Sequence, residues 1–139
     1  MTRQAHADFA GATPVVQARM DRGRRSYLAG LAAEDIVRRD YAARGFPSRE
    51  SRWRGKRGEI DLVMNDGDGI VFVEVKKSRD FETAMSHVTA AQVRRLYATG
   101  EEYLAQMPNG SLTDVRFDVA LVDGTGAVQI VENAFGHVF

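Results

Sequence analysis

Between Gly58 and Lys76 the chain sets two β-rich runs on either side of a five-residue cluster, Asn65-Asp66-Gly67-Asp68-Gly69. A cluster of that kind tolerates positive φ and predicts a β-hairpin, which commits this part of the chain to a sheet. The strands are unusual in where they carry charge. Side chains alternate along a strand, so Glu59, Asp61 and Val63 share one face of the first. In the second, Phe72, Glu74 and Lys76 share a face, and Val71, Val73 and Val75 take the other. If both charged faces lie on the same side of the sheet, Asp61, Glu74 and Lys76 converge.

A chain of 139 residues predicts a single domain with an adequate core, here residues 23–139, preceded by a flexible tail over 1–22. The absence of cysteine rules out a disulfide framework and a thiolate zinc site. No apolar run approaches the roughly 18 residues of a membrane span, and the N-terminus has no continuous apolar segment of a secretory signal. The expectation is a cytoplasmic protein without a membrane partner.

The formal charge of zero hides an asymmetry. Residues 1–58 hold twelve Arg and one Lys against six acids, a net +7, while residues 59–139 hold four Arg and two Lys against thirteen acids, a net −7. That division suits a protein that attracts a polyanion and keeps carboxylates for another task; it also suits a solvated surface with a basic arm.

Along the chain, a helix is predicted from about Arg24 to Arg44, stopped by Gly45 and Pro47. Tyr27, Leu31, Val37 and Tyr41 fall on one arc of it, with Glu34 inside the arc and Asp35 and Asp40 outside. Arg49, Arg52, Arg54, Lys56 and Arg57 surround Trp53 in a short edge strand. Trp53 suits packing at that edge, and base stacking is the alternative. After the hairpin, Ser78 to about Thr83 reads as a loop. A second helix follows from about Met85 to Gln106, with Val88, Ala91, Val93, Leu96, Tyr103 and Leu104 facing the sheet. Two strands close the chain, Arg116–Asp123 with Phe117, Val119 and Leu121 on one face, and Ala127 to about Glu132. Helix, three strands, helix and two strands give an α/β fold.

Asp61 and Glu74 are suited to a hard divalent cation, which takes oxygen ligands and commonly keeps one or two carboxylates. Lys76 could steady developing negative charge or orient the attacking water, and Glu34 could supply a third carboxylate. The same residues also suit a cross-strand ion pair of Lys76 with Asp61 or Glu74 on a solvated face, worth ~0–1 kcal/mol. Arg116 and Asp118 read as a supporting pair at the core edge. The Asp66–Gly69 turn is too short for a calcium loop. His6, His87 and His137 lack mutual metal spacing.

Gly58-Glu59-Ile60-Asp61-Leu62, followed by Val71-Phe72-Val73-Glu74-Val75-Lys76, resembles the bacterial YraN family, also called UPF0102. Glu34 upstream, Arg116-Phe117-Asp118-Val119 downstream and Asn133-Ala134-Phe135 near the end extend the resemblance from roughly Tyr27 to Phe135. That family is related to PD-(D/E)xK nucleases and is nearest to archaeal Holliday-junction resolvases. The resemblance implies a restriction-endonuclease-like mixed sheet of about five strands flanked by helices. It implies Asp61 and Glu74 as ligands of Mg²⁺ or Mn²⁺, Lys76 as the catalytic lysine and Glu34 as the helix glutamate that joins them. Glu59 belongs to the motif in a supporting place. Ser78, flanked by Lys77 and Arg79, stands where the family often has Arg, and Gln92 stands where its second helix often has Lys.

The expected function is metal-dependent hydrolysis of phosphodiesters in DNA, with Arg49, Arg52, Arg54, Lys56, Arg57, Lys77 and Arg79 as phosphate contacts. Such contacts position without reading sequence, which favours branched or otherwise structured DNA. Resolvase relatives act as dimers, so a homodimer is part of the expectation. A non-catalytic module that binds DNA or a repair partner on the same fold is the alternative, and an RNA-directed nuclease is a third reading.

Overall fold

The computed structural model describes residues 13–136. Helix α1 spans Pro14–Ala43. Thr13 caps it, its Oγ1 accepting the Val16 N–H at 3.1 Å, and Pro14 occupies the first turn, where a missing N–H costs nothing. The helix therefore starts well before Arg24 and takes in residues 14–22, expected as tail; residues 1–12, with His6, lie outside the described residues. Contacts divide the chain into two units after Leu31. In the first, Val15, Val16, Met20 and Tyr27 are exposed, so Tyr27 is not part of the expected buried arc.

In the second unit α1 buries Ala33, Val37 and Tyr41, spaced four residues apart, against Leu62, Met64, Val71, Val73, Ala120 and Val122. Its end is a Schellman motif. Phe46 N–H donates to the Tyr41 carbonyl at 2.9 Å and Gly45 N–H to the Ala42 carbonyl at 3.1 Å, with Gly45 at φ 94°. The Tyr41 and Phe46 rings meet edge-on at 6.0 Å, the apolar contact that accompanies this cap.

Strands β1 (Ser48–Arg54), β2 (Glu59–Asp66), β3 (Gly69–Lys77), β4 (Val115–Val122) and β5 (Val128–Val131) lie side by side in chain order. Only β3 and β4 pair in parallel, so the sheet is open and mixed, as expected from sequence. The hairpin turns at Gly67, φ 60°. The parallel pair needs a crossover, and it carries α2 (Phe81–Ser86), α3 (Ala90–Leu104) and a 3₁₀ turn, Gly110–Leu112.

Here the expectation of a loop over Ser78–Thr83 and one helix over Met85–Gln106 is corrected. Asp80 caps a short helix by accepting the Thr83 N–H at 2.7 Å. Thr89 is extended and starts a new one: its Oγ1 accepts the Gln92 N–H and the Gln92 Oε1 accepts the Thr89 N–H, both at 3.1 Å. This reciprocal cap breaks what hydrophobic spacing alone reads as one helix.

α3 covers the opposite face of the sheet from α1. Val93, Leu96, Tyr103 and Leu104 pack with Ile60, Val63, Phe72, Phe117, Val119 and Leu121. Ala91, expected on this face, is exposed in the first turn. Gly100 lets the helix close on the sheet, since a Cβ there would lie 3.1 Å from both the Phe72 and Phe117 rings. Among the described residues no helix is long and apolar enough to cross a membrane.

On the α1 face Asp118 is fully buried. It accepts from Tyr41 Oη at 2.7 Å, from Arg116 Nε and Nη2 at 2.8 and 2.9 Å, and from the Asn133 N–H at 2.9 Å. Burial and the Asp118 carboxylate together raise the Tyr41 phenol, and the bonds to Asp118 raise the Arg116 guanidinium. The supporting role expected of this pair is therefore that of a knot joining α1, β4 and the chain beyond β5.

Candidate metal and nucleic-acid site

The site lies where β2 and β3 part. Their ladder runs from the turn to the Leu62–Val73 pair. Beyond it, Asp61 Oδ2 accepts the Val75 N–H at 2.8 Å, so a side chain satisfies a donor the ladder no longer reaches. On the other flank, Arg52 sits between the Ser51–Leu62 and Trp53–Ile60 pairs with φ 52°. The strict alternation expected through Glu59–Val63 fails here. Ile60 and Val63 both enter the α3-side core, while Leu62 and Met64 enter the α1-side core.

This break coincides with the carboxylates. Asp61 and Glu74 line one cleft of about 240 Å³ with Glu59 and with Gln92, Arg95 and Leu96 of α3. Burial raises Asp61 above the ordinary aspartate value, against the Val75 hydrogen bond and the Lys76 charge, which lower it. Glu74 is pushed up to about 7, first by burial and then by the Asp61 charge, with Lys76 and Arg95 opposing. Lys76 Nζ lies 3.3 Å from Glu74 Oε2, and each side chain is only 19% exposed. The Glu74–Lys76 ion pair is thus present, but not on the solvated face where such pairs are weak.

Glu34 approaches from α1. Burial and the Asp61 charge raise its carboxyl, and Arg52 lowers it, with Arg52 Nη1 2.9 Å from Glu34 Oε2. Arg52 also reaches Glu59 at 3.7 Å. Glu34 is near enough to feel Asp61 yet is held by Arg52. Among the described residues no three His, Asp or Glu side chains are gathered to hold one metal ion.

A hard divalent cation is tested by the donor set itself. Asp61 and Glu74 are oxygen donors whose mutual repulsion and burial disfavour the charged forms, and a cation shared between them would relieve both. Two carboxylates fit Mg²⁺ or Mn²⁺, which fill their remaining positions with water and phosphate.

The basic segment does not act as a block. Arg49 donates to Tyr103 Oη at 2.6 Å and Asn65 Oδ1 at 3.2 Å, and lines a cleft with the Gly67-Asp68 turn, at the hairpin end away from the carboxylates. Arg54 lies 3.2 Å from Glu59. The Lys56 and Arg57 N–H groups donate to Glu102, which fixes the turn between β1 and β2, and Arg57 pairs with Glu101 at 3.7 Å. Lys77 is exposed at the end of β3, and Arg79, also exposed, pairs with Asp80 at 3.3 Å. Trp53 packs edge-on against Tyr103 at 5.0 Å, which is the edge-packing reading of that residue. His87 is exposed next to α2, and His137 lies outside the described residues.

Sequence reasoning did not bring Arg95 to the cleft, and Glu59, expected in a supporting place, lines it. The signal for Arg95 was the spacing of Gln92, Arg95 and Leu96, which puts all three on one side of a helix that follows the hairpin.

An open mixed α/β sheet with two partly buried acids and a lysine where its central hairpin opens defines the class of protein. The model of the Uncharacterised protein family UPF0102 matches residues 33–122, a span that includes Glu34, Asp61, Glu74 and Lys76. A UPF0102 protein of Ruegeria pomeroyi is 57% identical over 122 residues, covering 88% of this chain and 99% of the relative. Another, of Roseobacter denitrificans, is 55% identical over 124 residues, 89% of this chain and 96% of the relative. One from Dinoroseobacter shibae is 40% identical over 121 residues, 87% and 90% of the two chains. This chain belongs to the UPF0102 family.

Proposed function

We propose that this protein is a divalent-metal-dependent DNA endonuclease that hydrolyses phosphodiesters in branched or otherwise structured DNA. The observation that carries the reading is the pairing of Asp61 and Glu74 in one cleft, both raised by burial, with Lys76 3.3 Å from Glu74. A structural ion pair needs one acid. Two acids sharing one cleft beside one lysine, one raised by the charge of the other, are a costly arrangement that a stability role does not explain.

Asp61 and Glu74 would hold Mg²⁺ or Mn²⁺. The ion, when bound, lowers the pKa of water and neutralises charge on the phosphate. The rest is done by the chain. The Val75 N–H fixes the Asp61 carboxylate on the strand rather than on a loop, so its free oxygen has a set direction. Glu74 orients Lys76, and the Lys76 ammonium then faces the negative charge that grows on the phosphoryl oxygens during in-line attack. Glu34, once released from Arg52, supplies a further acceptor on the α1 side.

The test is cleavage of single-stranded, flapped and four-way DNA, with RNA versions alongside, in Mn²⁺ or Mg²⁺. Metal-dependent cleavage lost in Asp61→Asn and Glu74→Gln supports the reading. No cleavage of any substrate refutes it. One observation favours a non-catalytic DNA-binding module instead: Glu34 is engaged by Arg52. That module would bind DNA undiminished, or more tightly, in Asp61→Asn, because removing a carboxylate reduces repulsion from phosphate.

A further inference from the structure

We infer that Arg95 on α3 is the cation that meets the DNA backbone phosphate at the carboxylate cleft. This rests on the nuclease reading and adds to it a substrate contact from the helix, where that reading looked to the β1 segment.

Entering DNA faces a severe local charge problem. The cleft walls carry Glu59, Asp61 and Glu74, and the nearest strand cation, Lys76, is held by Glu74. A phosphate needs a cation that is near the acids yet not already neutralised by one. Arg52, Arg54 and Arg57 are near or beside this end of the sheet, but they pair with Glu34, Glu59 and Glu101. Arg49 is at the far end. Lys77 is exposed but follows Lys76 on the strand, so it projects from the opposite face. Gln92 lines the cleft, but its Oε1 closes the cap on Thr89.

Arg95 meets the requirement. It lines the cleft, is exposed, and its charge is felt at Glu74. Among the described residues it forms no side-chain hydrogen bond or ion pair. Its position is nonetheless fixed. Val93 and Leu96 of the same turn are buried, and Thr99 Oγ1 donates to the Arg95 carbonyl at 2.7 Å. Its stem runs past Gly58, with Cδ 3.9 Å from where a Cβ would stand. That is ordinary contact; the close approach at Gly58, just before β2, is to Thr99 Oγ1, 3.0 Å from the same point. A guanidinium held at its base and free at its tip suits two parallel hydrogen bonds to a phosphate.

The experiment is fluorescence anisotropy of a labelled four-way junction, in EDTA so that nothing is cut, over a NaCl series. Wild type is compared with Arg95→Gln, Arg95→Lys and Arg54→Gln, each checked by thermal melting. Arg95→Gln is expected to weaken binding roughly tenfold and to reduce the slope of log K against log salt by about one. Arg95→Lys should keep the slope, and Arg54→Gln should change the affinity by less than Arg95→Gln does. If wild type binds and Arg95→Gln matches it in affinity and slope, the assignment of Arg95 is wrong while the nuclease reading stands. If wild type binds no DNA in EDTA, the assignment of Arg95 falls, and cleavage in Mn²⁺ decides the nuclease reading separately.

Discussion

Arg52 lies 2.9 Å from Glu34 and 3.7 Å from Glu59, and it reaches them from a left-handed backbone, φ 52°. That conformation is disfavoured for a residue with a Cβ, by about 1–2 kcal/mol, and is found where surroundings enforce it. What it achieves is local. It aims one guanidinium at two acids beside Asp61, at the point where β2 stops alternating. The α1 glutamate is thus linked to the hairpin by an arginine as well as by proximity.

It follows that Arg52 competes with any cation for Glu34 and Glu59. Arg52→Ala removes a positive charge from beside three carboxylates and should tighten Mn²⁺ binding. The gain expected is about 0.5–1 kcal/mol, roughly two- to fivefold, because Arg52 is partly exposed and screened. Calorimetric titration with Mn²⁺ measures it. Unchanged or weaker affinity would mean that Glu34 and Glu59 contribute nothing to attracting the ion.

The raised acids set a pH dependence on the folded protein without metal. Glu74 holds its proton up to about 7 when folded, against an ordinary value of 4.5. The folded state therefore binds that proton more tightly than the unfolded one. Its contribution to stability is full below about 4.5 and is lost as pH rises through about 7. Glu74→Gln mimics the protonated form and should escape the loss. Melting in chelator should show the variant level with wild type near pH 5 and more stable by about 1–2 kcal/mol, roughly 3–6 °C, near pH 8. A variant that is less stable at pH 8 would show that the Lys76 pairing outweighs the cost of the buried charge. Restoring Mn²⁺ should close the gap by stabilising wild type more.

What could be read in the sequence follows from which forces are local. The hairpin, the end of α1 at Gly45 and the two closing strands announce themselves by turn residues and period-two alternation, and the structure has them. Asp61 and Glu74 lie on strands whose pairing is fixed by that turn, so their meeting was legible too. Four features were not. The Arg52 backbone and the failed alternation at Ile60–Leu62 arise where two ladders diverge, which is a tertiary matter. The break at Thr89 was written as a capping box, Thr-x-x-Gln, but was overridden by apolar spacing that runs through it. The separation of Arg49 from Arg52 and Arg54 came from the direction of β1, since a strand carries neighbours in sequence towards opposite ends of the sheet.

The Asp118 knot predicts a large stability effect away from the cleft. Asp118→Ala leaves Arg116, the Tyr41 hydroxyl and the Asn133 N–H without their common acceptor. Removing one partner of a buried ion pair costs about 3–5 kcal/mol. Urea denaturation should show a loss of that size, and Tyr41→Phe should lose only about 1 kcal/mol, the worth of one hydrogen bond. A cost below 1 kcal/mol for Asp118→Ala would remove the knot as what fastens α1 to β4.

On the proposed nuclease reading, Lys76 should separate binding from chemistry. It is mostly buried and held by Glu74, so it is poorly placed to contact DNA over a wide surface but well placed to face one phosphoryl group. Lys76→Met keeps much of its length and removes the charge. The four-way junction should then bind within about threefold of wild type, because one cation at the cleft is a small part of a salt-dependent interface. Cleavage in Mn²⁺ should fall by about 10²–10³, the usual cost of one donor aimed at developing charge. The comparison is made by single-turnover rates at saturating protein, which excludes binding from the readout. Equal losses of binding and rate would make Lys76 a DNA contact, and a rate unchanged from wild type would leave it as the structural partner of Glu74.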